Sequence, residues 1–195
     1  EFCSAGTVGD LDIKVSIDNN GRGKDDEWYL LDTLTVEVEV DNDGDEKISD
    51  IVVEWALISE STGETIDDDD LNDFNLKDGK DKTLTFDINL DPDDFEVDDI
   101  GSNLILLVKA YSDDVGESVE CTSESEKVEL FGDDFMIVDV EDINFPDSLQ
   151  AGTGVEVRAK LWNVGTEAQD EVSVRVQVQE FNFDETVEVG DIDEL

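Results

Sequence analysis

The stretch Thr33–Leu57, TLTVEVEVDNDGDEKISDIVVEWAL, reads strand, turn, strand. Val36, Val38 and Val40 alternate with Glu37, Glu39 and Asp41, so one face is apolar and the other is a row of carboxylates, as a half-buried β-strand requires. Asn42-Asp43-Gly44 supplies residues that tolerate positive φ where the chain must reverse. Ile51, Val53, Trp55 and Leu57 then resume the alternation, with Val52, Glu54 and Ala56 on the other face. The spacing predicts a β-hairpin.

The same unit recurs 121 positions later. Val157–Leu161, Asn163-Val164-Gly165 and Val172–Val176 align without a gap on Val36–Val40, Asn42-Asp43-Gly44 and Ile51–Trp55. A repeat at this interval is too long for a solenoid and predicts two domains of one kind in series. Their expected extents are 1–131 and 132–195, joined by a stiff linker at Gly132-Asp133-Asp134.

In the first domain, strands are expected at Leu11–Ile17, in the stretch above, at Leu84–Leu90 and at Val119–Leu130. The most apolar run, Asn103–Tyr111 (NLILLVKAY), reads as a central strand buried on both faces. Ser61–Lys82 reads as loop-rich. About seven short strands without helical periodicity predict an all-β fold, an antiparallel two-sheet sandwich. The second domain begins at Phe135-Met-Ile-Val-Asp-Val140, passes Pro146 and runs through the repeated stretch to Val187-Glu-Val189, with no counterpart of Asn103–Tyr111. It is therefore expected to be incomplete: either the chain belongs to a longer protein, or another copy completes the domain by β-strand addition.

Charge is the extreme feature. The 195 residues hold 56 acidic and 12 basic side chains and no His, a net charge of −44. Nucleic acid and anionic membranes would be repelled. No apolar run is long enough for a membrane-spanning helix. The acids alternate with Val, Ile and Leu in strand register, which argues for an ordered acidic face rather than disorder.

Two explanations of the acidity compete. One is a surface solvated for high salt, toward which the excess of Asp over Glu leans, 34 to 22. The other is calcium, which takes six to eight oxygen ligands. The candidate ligands are Asp91, Asp93, Asp94, Glu96, Asp98 and Asp99, then Asp67, Asp68, Asp69 and Asp70. Asp41-Asn-Asp43-Gly-Asp45 opens like an EF-hand loop but continues with Glu46 where Gly is needed and Val52 where the bidentate Glu belongs. It is read as a turn.

Cys3 and Cys121 are the only cysteines. One pair in an otherwise Cys-free chain suggests a disulfide and an oxidising, extracellular location, with two separate buried thiols as the alternative. Without His there is no Ser-His-Asp triad and no imidazole metal ligand, and nothing singles out a carboxylate pair for glycoside hydrolysis. The aromatics Trp28, Trp55, Phe86, Tyr111 and Trp162 are expected in the core. No N-glycosylation sequon is present.

The pattern of strand, N-x-G turn and strand resembles the CARDB-type, immunoglobulin-like modules of microbial surface proteins. The segments FCSAGTVGDLDIKVSI, DPDDFEVDD, NLILLVKAY, VECTSESEKVEL and AGTGVEVRAKLWNVGTEAQDEVSVRV further resemble the acidic N-terminal region of archaeal surface-layer proteins. That resemblance implies a non-enzymatic, extracellular cell-envelope subunit that works by protein–protein assembly with copies of itself. No cofactor would be required, with calcium as an optional aid to assembly. The alternative is a cell-surface adhesin module recognising a glycan or a partner protein.

Overall fold

The computed structural model describes residues 2–193 apart from 5, 25, 133–135, 144–156, 166 and 179–182. The chain divides into two compact units, Glu1–Phe131 and Gly132–Leu195. Asp133 and Asp134 of the expected linker, with Phe135 and Pro146, lie outside the described residues.

The first unit holds eight strands: β1 (Leu11–Asn19), β2 (Glu27–Tyr29), β3 (Thr33–Asn42), β4 (Ile48–Ser59), β5 (Thr65–Leu76), β6 (Lys80–Asn89), β7 (Asn103–Ser112) and β8 (Cys121–Phe131). Two single 3-10 turns, Pro92–Asp94 and Val97–Asp99, stand between β6 and β7. The strands form a three-stranded sheet, β1-β3-β6, and a five-stranded sheet, β2-β8-β7-β4-β5. All pairings are antiparallel except that of β2 with β8. The chain changes sheet between β3 and β4, β5 and β6, and β6 and β7, in the immunoglobulin-type order, with the short β2 added beside the last strand.

Both halves of Thr33–Leu57 are strands, but they are not a hairpin. β3 pairs with β1 and β6, whereas β4 pairs with β5 and β7, so the turn carries the chain from one sheet to the other. The physical reason is that both apolar rows are inward-facing. Val36, Val38 and Val40 are fully buried on one sheet and Ile51, Val53 and Leu57 on the other, so the rows share one core. Each such side chain contributes about 1.5–3 kcal/mol on burial. Trp55 and Phe86 join the sheets across the core, stacked with centroids 5.0 Å apart.

β7 is the central strand of its sheet, with Leu104, Leu106, Val108 and Ala110 buried on the inner face. β5 corrects the loop expected across Ser61–Lys82. It is an edge strand whose Phe74 and Leu76 reach the core while Asp67–Asp70 are exposed on both faces. Carboxylates on an edge deter pairing with another sheet.

Among its described residues the second unit holds β9 (Met136–Ile143) paired with β10 (Val157–Asn163), and β11 (Gln169–Val178) paired with β12 (Phe183–Ile192). By position these repeat β1, β3, β4 and β5. The repeat extends to backbone irregularities. β4 has a register shift between Ile48 and Ile51 with Asp50 at φ 50°, and β11 has one between Gln169 and Val172 with Glu171 at φ 55°. These residues are again 121 positions apart. A bulge reproduced in two copies is a built feature of the module.

Candidate functional site

Several acidic side chains that the sequence marks as candidates are committed to the scaffold. Asp99 is buried. It accepts hydrogen bonds from the Ser59 and Ser61 hydroxyls and from the Glu96 N–H, which fixes the second 3-10 turn onto the end of β4. Asp91 caps the first turn by accepting the Asp93 N–H at 3.0 Å. Asp94 stands beside Asp91, Asp67 and Asp93. Burial first, then these three like charges, raise its pKa above the ordinary carboxylate value.

The structure thus brings Asp67 of one acidic run near Asp91, Asp93 and Asp94 of the other. Alternation along β5 sends Asp68 and Asp70 to the face opposite Asp67, and Asp69 follows Asp67 two positions further along the strand. Among the described residues no group of three or more acidic side chains is arranged to hold a metal ion.

The sequence left Asp32 unmarked. It is buried in the first unit and gathers a loop around its carboxylate, accepting from the N–H groups of Arg22, Gly23 and Tyr29 and from Asn19 Nδ2. Gly21 belongs to the same knot: a Cβ there would lie 2.0 Å from Asp32 Oδ1.

A second unmarked cluster lies on the outer face of the five-stranded sheet. Lys109 is buried on β7, with its ammonium 2.8 Å from Glu54 and 2.9 Å from Glu117 and over the Tyr111 ring at 4.8 Å. Tyr111 is therefore not a core aromatic; its hydroxyl donates to Glu54 at 2.7 Å. Burial would lower the Lys109 pKa, but its hydrogen bonds to Glu54 and Glu117 outweigh that and raise it. For Glu54, burial works upward, yet Lys109 and Tyr111 hold the carboxyl below its ordinary value. The Tyr111 hydroxyl is pushed up, chiefly by the Glu54 hydrogen bond. A groove of about 410 Å³, lined by Glu54, Ala56, Asp68, Asp70, Leu107 and Lys109, runs beside this network.

The outer face of the three-stranded sheet is acidic. Asp12, Glu37, Glu39, Asp41, Asp81 and Asp87 point away from the core, with Lys14 bridging Glu39 at 2.8 Å and Asp41 at 2.9 Å. In the second unit the repeated strand carries cations on this face, each directly across from an Asp of β9: Arg158 from Asp142 and Lys160 from Asp139. Arg158 and Lys160 of β10 are exposed at the positions of Glu37 and Glu39, and Trp162 replaces Asp41. Lys160 lies over the Trp162 ring at 5.5 Å.

At the end of the first sandwich, Cys3 and Cys121 form a disulfide spanning 118 residues. Both cysteines are buried, and Val8 pairs with Cys121 through a pair of backbone hydrogen bonds.

No protein-family model matches the sequence, and no curated protein matches it. Among solved structures, the chain is similar to the C-terminal domain of wzt, at 9% identity over 65% of this chain and 77% of that one, with a TM-score of 0.48. It is similar to the CARDB domain of a Pyrococcus furiosus protein solved in solution, at 16% identity over 64% of this chain and 98% of that one, with a TM-score of 0.42. A Bacteroides uniformis beta-glucuronidase matches at 11% identity and a TM-score of 0.48, over 68% of this chain and 15% of that one. These are likenesses of chain path between β domains. The chain's own strands define the class: an all-β protein whose first unit is an immunoglobulin-like sandwich and whose second repeats four of its strands.

Proposed function

We infer that the protein is a non-enzymatic, extracellular structural module, a subunit of an archaeal surface layer or surface filament that acts through protein–protein assembly. The observation that carries this reading is the tandem repetition of one module, preserved down to its turn and its bulge. Repeated modules in series present related faces at intervals along a chain, which suits assembly better than the single concave site of a small-molecule enzyme. The disulfide supports an oxidising location. The polar groups buried in the first unit support a structural role, since Asp32, Asp99 and Asn42 each fasten backbone to backbone.

Cell-surface placement and the use of divalent cations to offset repulsion between acidic neighbours belong to the same reading. Negative-stain electron microscopy of the purified chain, at low and high salt and with and without calcium, tests it. Ordered sheets or filaments are the expected outcome. Single particles under every condition would overturn the reading.

A further inference from the structure

In the first unit β3 stands between β1 and β6, and β4 stands between β5 and β7. Their repeats are not flanked in this way. Among the described residues β10 pairs only with β9, and β11 only with β12. The second unit thus has two sheets with one open edge each, joined by Asn163 as Asn42 joins the sheets of the first.

The inner faces beside these edges are apolar and poorly covered. Ile51, Val53 and Leu57 on β4 are at most 1% exposed, whereas their repeats Val172, Val174 and Val178 on β11 are only half-buried. Val138, across from Leu161, is 50% exposed, and Phe183 and Val187, across from Val178 and Val174, are 42% and 55% exposed. Glu185 interrupts this row, on β12. The first unit guards its edges: Asp67–Asp70 blunt β5, and on β1 the Val15 N–H is taken by the Glu124 carboxylate at 3.0 Å. Among the described residues β11 has no such guard. It alternates valine with Ser173, Arg175 and Gln177, and Arg175 is held within its own sheet by Asp184. An apolar edge of this kind is a template for another strand.

We propose that the second units of two copies join about a two-fold axis perpendicular to their sheets and so make one complete sandwich. The partner's β11 takes the place that β7 has beside β4, and the partner's β12 takes the place of β8. The partner's β10 takes the place that β6 has beside β3. All three of those pairings are antiparallel in the first unit, and a two-fold axis normal to a sheet makes the facing strands antiparallel. One sheet then runs β12-β11-β11-β12 and the other β9-β10-β10-β9. The occupant is a second copy because one operation fills all three places at once, in the order and direction that the first unit displays. With the axis at Arg175, Val172 faces the partner's Val178 and Val174 faces the partner's Val176, so all four valines are matched. The charges near the seams are already paired within each copy, Arg175 with Asp184 and Arg158 and Lys160 across from Asp142 and Asp139. Such a contact is isologous and closes at a dimer, so growth into a sheet or filament uses a further contact.

The proposal rests on the assembly reading above, and one set of samples separates the two. Self-association of the full chain is followed by sedimentation velocity, and the seam is mapped by oxidising the single-cysteine variants S173C, R175C and Q177C. The native cysteines are both in the disulfide. Facing residues of an antiparallel pair have Cα atoms about 5 Å apart, within reach of a disulfide, whereas a residue two places off the axis lies about 13 Å along the strand from its own copy. The wild type is expected to dimerise. R175C alone should form a covalent dimer, and S173C or Q177C alone roughly tenfold less. An equimolar mixture of S173C and Q177C should restore the crosslink, because those two positions face each other across the axis. All three positions are exposed, and unchanged circular dichroism confirms that the fold is kept. A wild-type dimer with no crosslink at R175C, or with equal crosslinking at all three positions, would overturn this seam, and ordered assemblies in the same samples would leave the assembly role standing. A dimer that crosslinks through R175C and never grows further would keep the seam and overturn the assembly role. A wild type that stays monomeric throughout would overturn both.

Discussion

Asn42 and Asn163 make the same fastening in the two units. In each, the side-chain amide donates 2.8 Å to a carbonyl four residues on, Glu46 or Glu167, while Oδ1 accepts the N–H two residues on, Gly44 or Gly165. Each also reaches a carbonyl far along the chain, that of Lys77 just past β5 for Asn42, at 3.2 Å, and that of Ile192 at the end of β12 for Asn163, at 3.4 Å. The Asn is the clip that turns the chain from one sheet to the other. This explains why Asn and Gly recur in both copies while the acids between them do not.

Asn42→Ala should therefore destabilise the first unit by about 1–3 kcal/mol, because buried carbonyls lose their donor. Asn42→Asp should cost more at neutral pH, because a carboxylate would then face the carbonyls of Glu46 and Lys77. Chemical denaturation of the two variants checks the order.

Gly21→Ala should weaken the loop around Asp32. The backbone there is not in the left-handed region, so the obstacle is space: a methyl would overlap the Asp32 carboxylate. Asp32→Ala should cost about 2–4 kcal/mol, since several N–H groups lose one shared acceptor. Faster amide exchange at Arg22, Gly23 and Tyr29 in both variants is the local readout.

Lys109→Met should cost about 1–2 kcal/mol at pH 7. Glu54 and Glu117 are 39% and 34% exposed, so water recovers part of their solvation. The pH dependence has a defined sign. Glu54 is held below its ordinary value of 4.5, so its contribution is present above that pH and is lost as pH falls through the lowered folded value. Lys109 is raised above 10.5, so its contribution is full below that pH and is lost only as pH rises through the raised value. In Lys109→Met the stability profile should flatten on the acid limb between about pH 3 and 5.

Cys3→Ser should lower stability by about 2–5 kcal/mol, because the bridge closes a loop of 118 residues whose freedom returns in the unfolded chain. Both sulfurs are buried, so reductant should act on the native protein far more slowly than on the protein in denaturant. Thiol labelling over time measures this.

Salt should stabilise the protein. With a net charge of −44, self-repulsion extends about 10 Å at 0.1 M and about 3 Å at 1 M. The unfolding midpoint should rise across that range and rise less in variants with Asp67–Asp70 changed to Asn. A flat or falling midpoint would show that repulsion is not a governing cost.

Strand content was legible because alternation is a local signal: Val36, Val38 and Val40 announce a strand wherever it pairs. Pairing itself is not local, so the apolar rows around Asn42 read as a hairpin although they face each other across a core. Asp67–Asp70 read as a loop because an edge strand with solvent on both faces needs no alternation. Tyr111 read as core because an aromatic in an apolar run carries no mark of which face it takes. Lys109 gave no signal; its environment depends on Glu54, which β4 delivers, and on Glu117, from the turn before β8. The Cys3–Cys121 link was legible because only one pairing within the chain was available. The sign reversal at Arg158 and Lys160 was readable from the repeat once its copies were aligned residue by residue.

The same disulfide has a mechanical consequence. Tension entering the chain ahead of Cys3 and leaving after Cys121 crosses two sulfur atoms between Cα positions 5.8 Å apart. The strands from β1 to β7 hang on that link as a slack side loop. Opening them by force would otherwise release about 390–425 Å of contour, at 3.3–3.6 Å per residue. Pulled from its ends, the first sandwich behaves as a nearly inextensible bead, and the load falls on β8 and on whatever follows it.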